Sequence, residues 1–288
     1  MTDDESGGTP QTGVLGTAPP PGSANVDEPQ QLTATVRLFV SVLRKEITTS
    51  LRYGINFLFG QVSFFLVFAL IVEGGRRIGG ASFGDRLGGI VVGYLVFFIA
   101  QLSFTEVAGT VTKEAQWGTL ERLYLSPLGF GRVMWVTALA GLLFASVQVG
   151  GQLLLALLFT DQSLVLDLVT IVPITALGAA SVLGVGFATG GAAVLYKRLE
   201  NASTVFSFAV IGLISAPVER LPWLRLFPIV QANDMLGRAM RAGVRLWEFS
   251  PRSIGFLTVV GIGYLIAGYV VFRFFVRRAR IRGTLGEY

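Results

Sequence analysis

The chain of 288 residues contains no cysteine and no histidine. The first absence rules out disulfides, thiolate nucleophiles and thiolate metal sites; the second removes imidazole bases and the commonest ligand of zinc and haem. Charge is scarce as well, with Asp, Glu, Lys and Arg at 14% of the residues against roughly a quarter in soluble domains. Missing too is any G-x-x-x-x-G-K-[ST] loop that would cradle the phosphates of a nucleotide.

Apolar surface is what the sequence has in excess. Hydrophobic residues make up 52% of the chain, and they come in long blocks rather than in amphipathic stripes. The net charge of +5 does not point to nucleic acid, because the basic residues stand between apolar blocks, where membrane topology accounts for them better than a phosphate-binding face.

Residues 1–31 are rich in Gly, Pro, Thr, Gln and acid, with Asp3, Asp4, Glu5, Asp27 and Glu28 and almost no large apolar side chain. Such a segment buries too little to offset its chain entropy and is expected to be a disordered tail. It has no basic region leading into an apolar one, so it does not read as a secretory signal. From 34 to 53, Val36, Val40, Leu43, Ile47 and Leu51 recur at helical spacing among Arg37, Arg44, Lys45 and Arg52. That pattern predicts a helix lying in the membrane interface, its cations toward anionic headgroups; a soluble amphipathic helix is the alternative.

Six stretches then run without a formal charge: 53–72, 87–105, 133–160, 168–196, 201–218 and 253–272. A helix needs about 20 residues to cross a hydrocarbon core of about 30 Å. The stretches predict spans at about 54–73, 88–108, 133–158, 168–195, 202–218 and 253–273, the fifth being the shortest. Lipid offers no water to backbone groups, so these must be helices, and their unbroken apolarity excludes barrel strands. The fold class expected is an all-α membrane protein with six transmembrane helices.

With the N-terminus in the cytoplasm, 14 of the 23 Lys and Arg residues face inward, including all three lysines, so both termini are predicted inside. The sequon Asn201-Ala202-Ser203 would then be cytoplasmic and unglycosylated.

The segment 113–127 reads KEAQWGTLERLYLSP. It predicts a short exposed helix from about Thr119, stopped before Pro127. A helix charged and aromatic on both sides, held between two spans, has no core of its own to join, and a partner protein is the surface it suits. Its Glu114, Gly118-Thr119-Leu120-Glu121, Leu123 and Ser126-Pro127 resemble the element between the second and third spans of ABC-2 type transport permeases, the membrane subunits of ABC exporters. The resemblance covers nearly everything after residue 34, which makes 32–288 an ABC-2 type transmembrane domain. It extends to a Pro-rich outer segment, with Pro217, Pro222, Trp223, Phe227 and Pro228, similar to the family's short re-entrant helices, a solvated loop being the alternative; Arg238, Arg241 and Arg245 are expected to line one side of a helix after it.

The resemblance implies a mechanism. Two permease copies, or a copy and a paralogue, pair in the plasma membrane, and each coupling segment docks on a separate ABC ATPase subunit that holds ATP and Mg. On this reading the chain binds no cofactor itself, and Glu114, Gly118, Thr119, Glu121 and Arg122 make the ATPase contact. Thr119 suits a helix cap, Glu121 the positive end of the helix dipole, and Gly118 the turn; these residues alternatively only shape that turn.

Inside the spans, Gln148 and Gln152 share a face, while Asn56, Gln61 and Gln101 read as isolated. Asn56, Gln61, Gln148 and Gln152 are candidates for a substrate path, with interhelical hydrogen bonding as the competing role. Gly89 and Gly93, and Gly186 and Gly190, have the spacing of close helix packing. The GxSxG pattern at 80–84 has no histidine to complete a triad, and Gly184-Val185-Gly186 lies inside a span rather than after a strand, so neither is a site.

The functional expectation is export of a hydrophobic or amphipathic substrate such as a drug, a lipid or a lipid-linked glycan. The alternative is a secondary transporter or another polytopic membrane protein without ATP coupling, for which membrane-embedded ionisable residues are lacking. An intramembrane protease needing histidine is excluded.

Overall fold

The computed structural model describes residues 28–116, 130–196 and 201–281, and every regular element among them is helical. In chain order these are α1 (Glu28–Arg52), α2 (Gly54–Gln116), α3 (Phe130–Thr160), α4 (Leu168–Tyr196) and α5 (Ala202–Ile214), then a 3-10 turn at Pro222–Leu226, α6 (Val230–Ala242), a second turn at Leu246–Glu248, and α7 (Pro251–Ile281). The expected tail before Glu28, the coupling residues Gly118, Thr119, Glu121 and Arg122, and the pair Lys197 and Arg198 lie outside the described residues. Helix α1 opens at Glu28-Pro29, a little before the boundary expected at 32, because an acid and a proline both suit a first helical turn. Its Val36, Val40, Ile47 and Leu51 stay exposed beside Arg37, Arg44 and Lys45, while Leu38, Phe39, Val42 and Leu43 are half-buried; the helix packs mainly against α3.

Helix α2 is continuous in its assignment but forms two arms in space. A straight helix would hold Phe68 and Tyr94 about 39 Å apart, yet their rings stack at 4.4 Å and Phe64 meets Phe98 edge-on at 5.1 Å. The chain therefore reverses between the arms Gly54–Gly79 (α2a) and Arg86–Thr112 (α2b), where Gly75 and Gly79 leave room for the Phe83 ring.

Five helices, α2a, α2b, α3, α4 and α7, are long and apolar enough to cross a membrane. The expected span at 202–218 takes another form. Helix α5 has 13 residues, which is about 20 Å of helix against a hydrocarbon core of about 30 Å. It stops at Ile214 because Pro217 follows, and a proline disfavours helical backbone just before it.

The passage from one end of the bundle to the other is nevertheless completed. One end gathers the close of α2a and of α3, where Arg76 Nη2 donates to the Thr160 carbonyl, and the start of α4, where Thr170 Oγ1 accepts the Leu246 N–H. The opposite end holds the close of α4 and of α7, where Tyr196 meets Phe275. Helix α5 leaves this second end with Phe206 stacked on Phe104 of α2b at 4.0 Å and finishes with Ile214 against Gly93. Helix α6 takes over. Its N-cap, Ile229, donates its N–H to Ser181 Oγ of α4, about 20 Å along that helix from Leu168, and its last turn meets the first end through Val165 N–H to the Met240 carbonyl. Asn233 Nδ2 donates to the Ile214 carbonyl and so joins the two pieces.

Glycine sets the packing. A Cβ at Gly184 would overlap the Tyr264 carbonyl, one at Gly268 would overlap the Gly184 carbonyl, and one at Gly261 would come within 2.7 Å of the Leu177 carbonyl, so α4 and α7 meet backbone to backbone. Gly186 and Gly190 face Phe104, Ala108 and Val111 of α2b. Their spacing therefore serves packing within this chain.

Candidate functional site

The polar side chains of the apolar arms form a connected chain. Gln61 Nε2 of α2a donates to Gln148 Oε1 of α3 at 2.6 Å. Gln152 Nε2, one turn further along α3, donates to Gln61 Oε1 and to the Gln61 carbonyl, each at 2.9 Å, and accepts from the Tyr94 hydroxyl of α2b at 2.6 Å. Gln61 is therefore not isolated; the reversal of α2 brings its two arms beside α3, a juxtaposition that spacing along one helix does not contain. Gln101 is also partnered, by Ser207 Oγ of α5 at 3.0 Å. Asn56 lies exposed on α2a, away from this chain of bonds.

Two grooves flank the chain of bonds. Gln61, Gln148 and Gln152 border one of about 500 Å³, whose walls include Ile47 and Leu51 of α1 and Phe144 of α3. With Gln152 fully buried and its amide engaged on both sides, only part of this polarity faces the groove. The larger cavity, about 790 Å³, lies further along α2a, between that arm, α2b and α5. Its size falls in the range of small-molecule sites, roughly 300–1,000 Å³. Phe64, Phe68, Tyr94, Phe97 and Ile211 give it an apolar, largely aromatic wall.

Charge in this cavity is confined to one end. Arg86, Gly89, Ile90 and Gly93 follow helical spacing along α2b and present one face to it. Arg241, from the last turn of α6, closes the same end: its Nη1 lies 3.5 Å from the Cβ position of Gly89, and its Nε donates to the Gly237 carbonyl at 3.2 Å. Gly89 and Arg241 also border a smaller cavity of about 290 Å³, more polar, shared with Glu219, Arg220, Asn233 and Asp234. Arg241 thus stands between an apolar chamber and a polar vestibule.

The expected arginine row along α6 is only partly realised. Arg238 pairs with Asp234 at 2.9 Å and lies over the Phe249 ring, whereas Arg241 turns to α2b. Arg245 is not on the helix at all. Gly243, at φ +69, ends α6 by returning its N–H to Ala239, and Arg245 beyond it stacks on Trp247.

Of the residues expected to contact an ATPase, Glu114 sits near the end of α2, which closes at Gln116. The larger cavity was not legible in the sequence, since Arg86 and Arg241 stand 155 positions apart and only the packing of α6 on α2b unites them. The one local hint is a cation directly before the glycines at 88, 89 and 93.

No curated protein matches the chain. The family described as ABC-2 family transporter protein matches residues 77–270, from the end of α2a to well inside α7 and more than half of the sequence. This multi-pass, all-helical chain belongs to the ABC-2 transporter family and is a membrane component of transport.

Proposed function

We propose that the chain is the permease subunit of an ATP-driven exporter, moving a hydrophobic or amphipathic substrate outward on energy supplied by a separate ATPase subunit. The observation that carries this reading is the family match across 77–270, with the segment 113–127 inside it. In this arrangement Glu114, Gly118, Thr119, Glu121 and Arg122 dock on the ATPase, which holds ATP and Mg, and the motion reaches the bundle through α2b and α3, the helices on either side of that segment. Both termini face the cytoplasm of the plasma membrane, a second copy or a paralogue completes the pathway, and α6 is re-entrant from the outer side.

Support for an outward path comes from the order of the two cavities, apolar between helices and polar where α6 ends. A secondary transporter is less well supported: among the described residues the buried polar side chains are Ser103, Gln152, Thr160, Thr170, Ser181 and Gln231, none of them ionisable. Asn56, Gln61 and Gln148 remain candidates for a second portion of the path along the smaller groove.

Charge reversal at Glu121 tests the coupling. Glu121→Lys should leave the chain in the membrane at normal abundance while substrate-stimulated ATP hydrolysis by the co-purified ATPase is lost. Transport that survives this change overturns the assignment. A reporter placed after Tyr196 should be cytoplasmic, and an outer location would reverse the topology.

A further inference from the structure

We propose that the 790 Å³ cavity between α2a, α2b and α5 takes an anionic amphiphile, its apolar tail against the aromatic wall and its acidic head between Arg86 and Arg241. The inference rests on the transport reading above and names the substrate class of that site.

Charge complementarity carries the argument. Several arginines at this end of the bundle are already engaged. Arg77 pairs with Glu73 at 3.0 Å, Arg225 and Arg238 share Asp234 at 3.7 and 2.9 Å, Arg76 reaches the Thr160 carbonyl, and Arg245 lies over Trp247. Arg86 and Arg241 are the arginines that line the cavity. Among the described residues neither has a carboxylate within 4 Å, although Glu219 and Asp234 border the adjoining vestibule; Asp234 is already bound by two guanidiniums.

Both cations border the same cavity, and both are at its charged end. A guanidinium offers a fork of donors to a carboxylate or phosphate and stays charged at any relevant pH. Beside apolar walls, which lower the local dielectric, a paired anion is held more strongly than on a fully solvated surface.

The apolar part has the complementary property. Val67, Ile71 and Ile211 are exposed along its open side at 59%, 55% and 48%, so a chain can enter sideways from lipid while the head stays at the level of the arginines. Tyr94, whose hydroxyl is turned to Gln152, offers the cavity its ring rather than its proton. Neutral polar solutes find few partners in such a wall, and an anion without a tail leaves most of it empty.

The test uses the full chain, purified and placed in phosphatidylcholine nanodiscs, without any ATPase. The absence of cysteine makes a single Val67→Cys variant a clean label site. The probe is a dansyl-labelled undecanoic acid, compared with its methyl ester, which has the same tail and no charge. The acid should bind with enhanced fluorescence and slow maleimide labelling of Val67→Cys, and the ester should bind at least about ten-fold more weakly, the scale of one charge-assisted contact. Arg241→Gln and Arg86→Gln should each weaken the acid by about ten-fold and leave the ester unchanged, and Ser63→Phe, which fills the apolar part, should weaken both.

Repeating the titration in nanodiscs containing phosphatidylglycerol separates the sources. Competition identifies a membrane lipid as the occupant, and its absence identifies a solute delivered to the site; either result supports the class. Equal affinity for acid and ester, or indifference of the acid to both arginine variants, overturns the proposal. So does crosslinking of Val67→Cys between two copies with no probe bound, which would make the groove a subunit interface. Because no ATPase is present, failure here leaves the Glu121 test untouched, and failure of that test leaves this one standing.

Discussion

Helix α2b has two kinds of neighbour. On one side stands α4, joined to it through Gly186 and Gly190 and to α7 through Gly184, Gly191, Gly261 and Gly268. On the other are α2a and α5, which meet α2b through rings and leave a cavity between them. All are comparably apolar, yet 61% of the most apolar stretch of α2b is buried within the protein and only 11% of that of α2a. The difference teaches that in lipid apolarity does not choose partners. Hydrocarbon is as good a neighbour as leucine, so close approach of backbones and interhelical hydrogen bonds decide which helices bind each other. The glycine side is a fixed frame; the aromatic side leaves an open cavity.

That contrast can be broken most severely at its tightest point. Gly184→Val places atoms on the Tyr264 carbonyl and should cost about 3 kcal/mol or more, seen as a large fall in the thermal unfolding midpoint of the purified protein. Ser181→Ala comes next. It removes the acceptor of the Ile229 N–H, a buried donor on a β-branched residue held at φ 66°, and should cost about 2 kcal/mol by the same measurement. Gln152→Leu interrupts the bonds among Gln61, Gln152 and Tyr94 and should cost about 1 kcal/mol, the range of interhelical hydrogen bonds in membranes. The smallest effect is expected on the open side, and with opposite sign. Gly60→Ala meets nothing within 4 Å, so the added methyl should stabilise by about 0.5 kcal/mol through helix propensity. A Gly60→Ala loss as large as that of Gly184→Val would mean that α2a is covered by another subunit rather than by lipid.

Much of the fold was legible because lipid imposes a local rule. A run of about 20 uncharged residues must be a helix, so α2a, α2b, α3, α4 and α7 stand close to where the uncharged stretches put them. The fifth stretch misled because Pro217 falls within it, and the local preference against helix before proline outweighed apolarity; α5 ends at Ile214, and α6, which carries Gln231, Asn233, Asp234, Arg238 and Arg241, supplies the remaining rise. Similarly, Gln148 and Gln152 share a face by helical spacing alone, whereas their partners Gln61 and Tyr94 depend on a reversal whose position spacing does not give.

By itself, then, the sequence determined a helical membrane protein of the ABC-2 type, since hydrophobic run length and the 113–127 segment are properties of consecutive residues. Only the tertiary structure decided that one passage is shared by two short helices, that α4 and α7 lock through glycine, and that Arg86 and Arg241 meet one apolar cavity. Those facts depend on which helices touch, and in lipid that is settled by shape and hydrogen bonding between distant segments, quantities that no window of the chain contains.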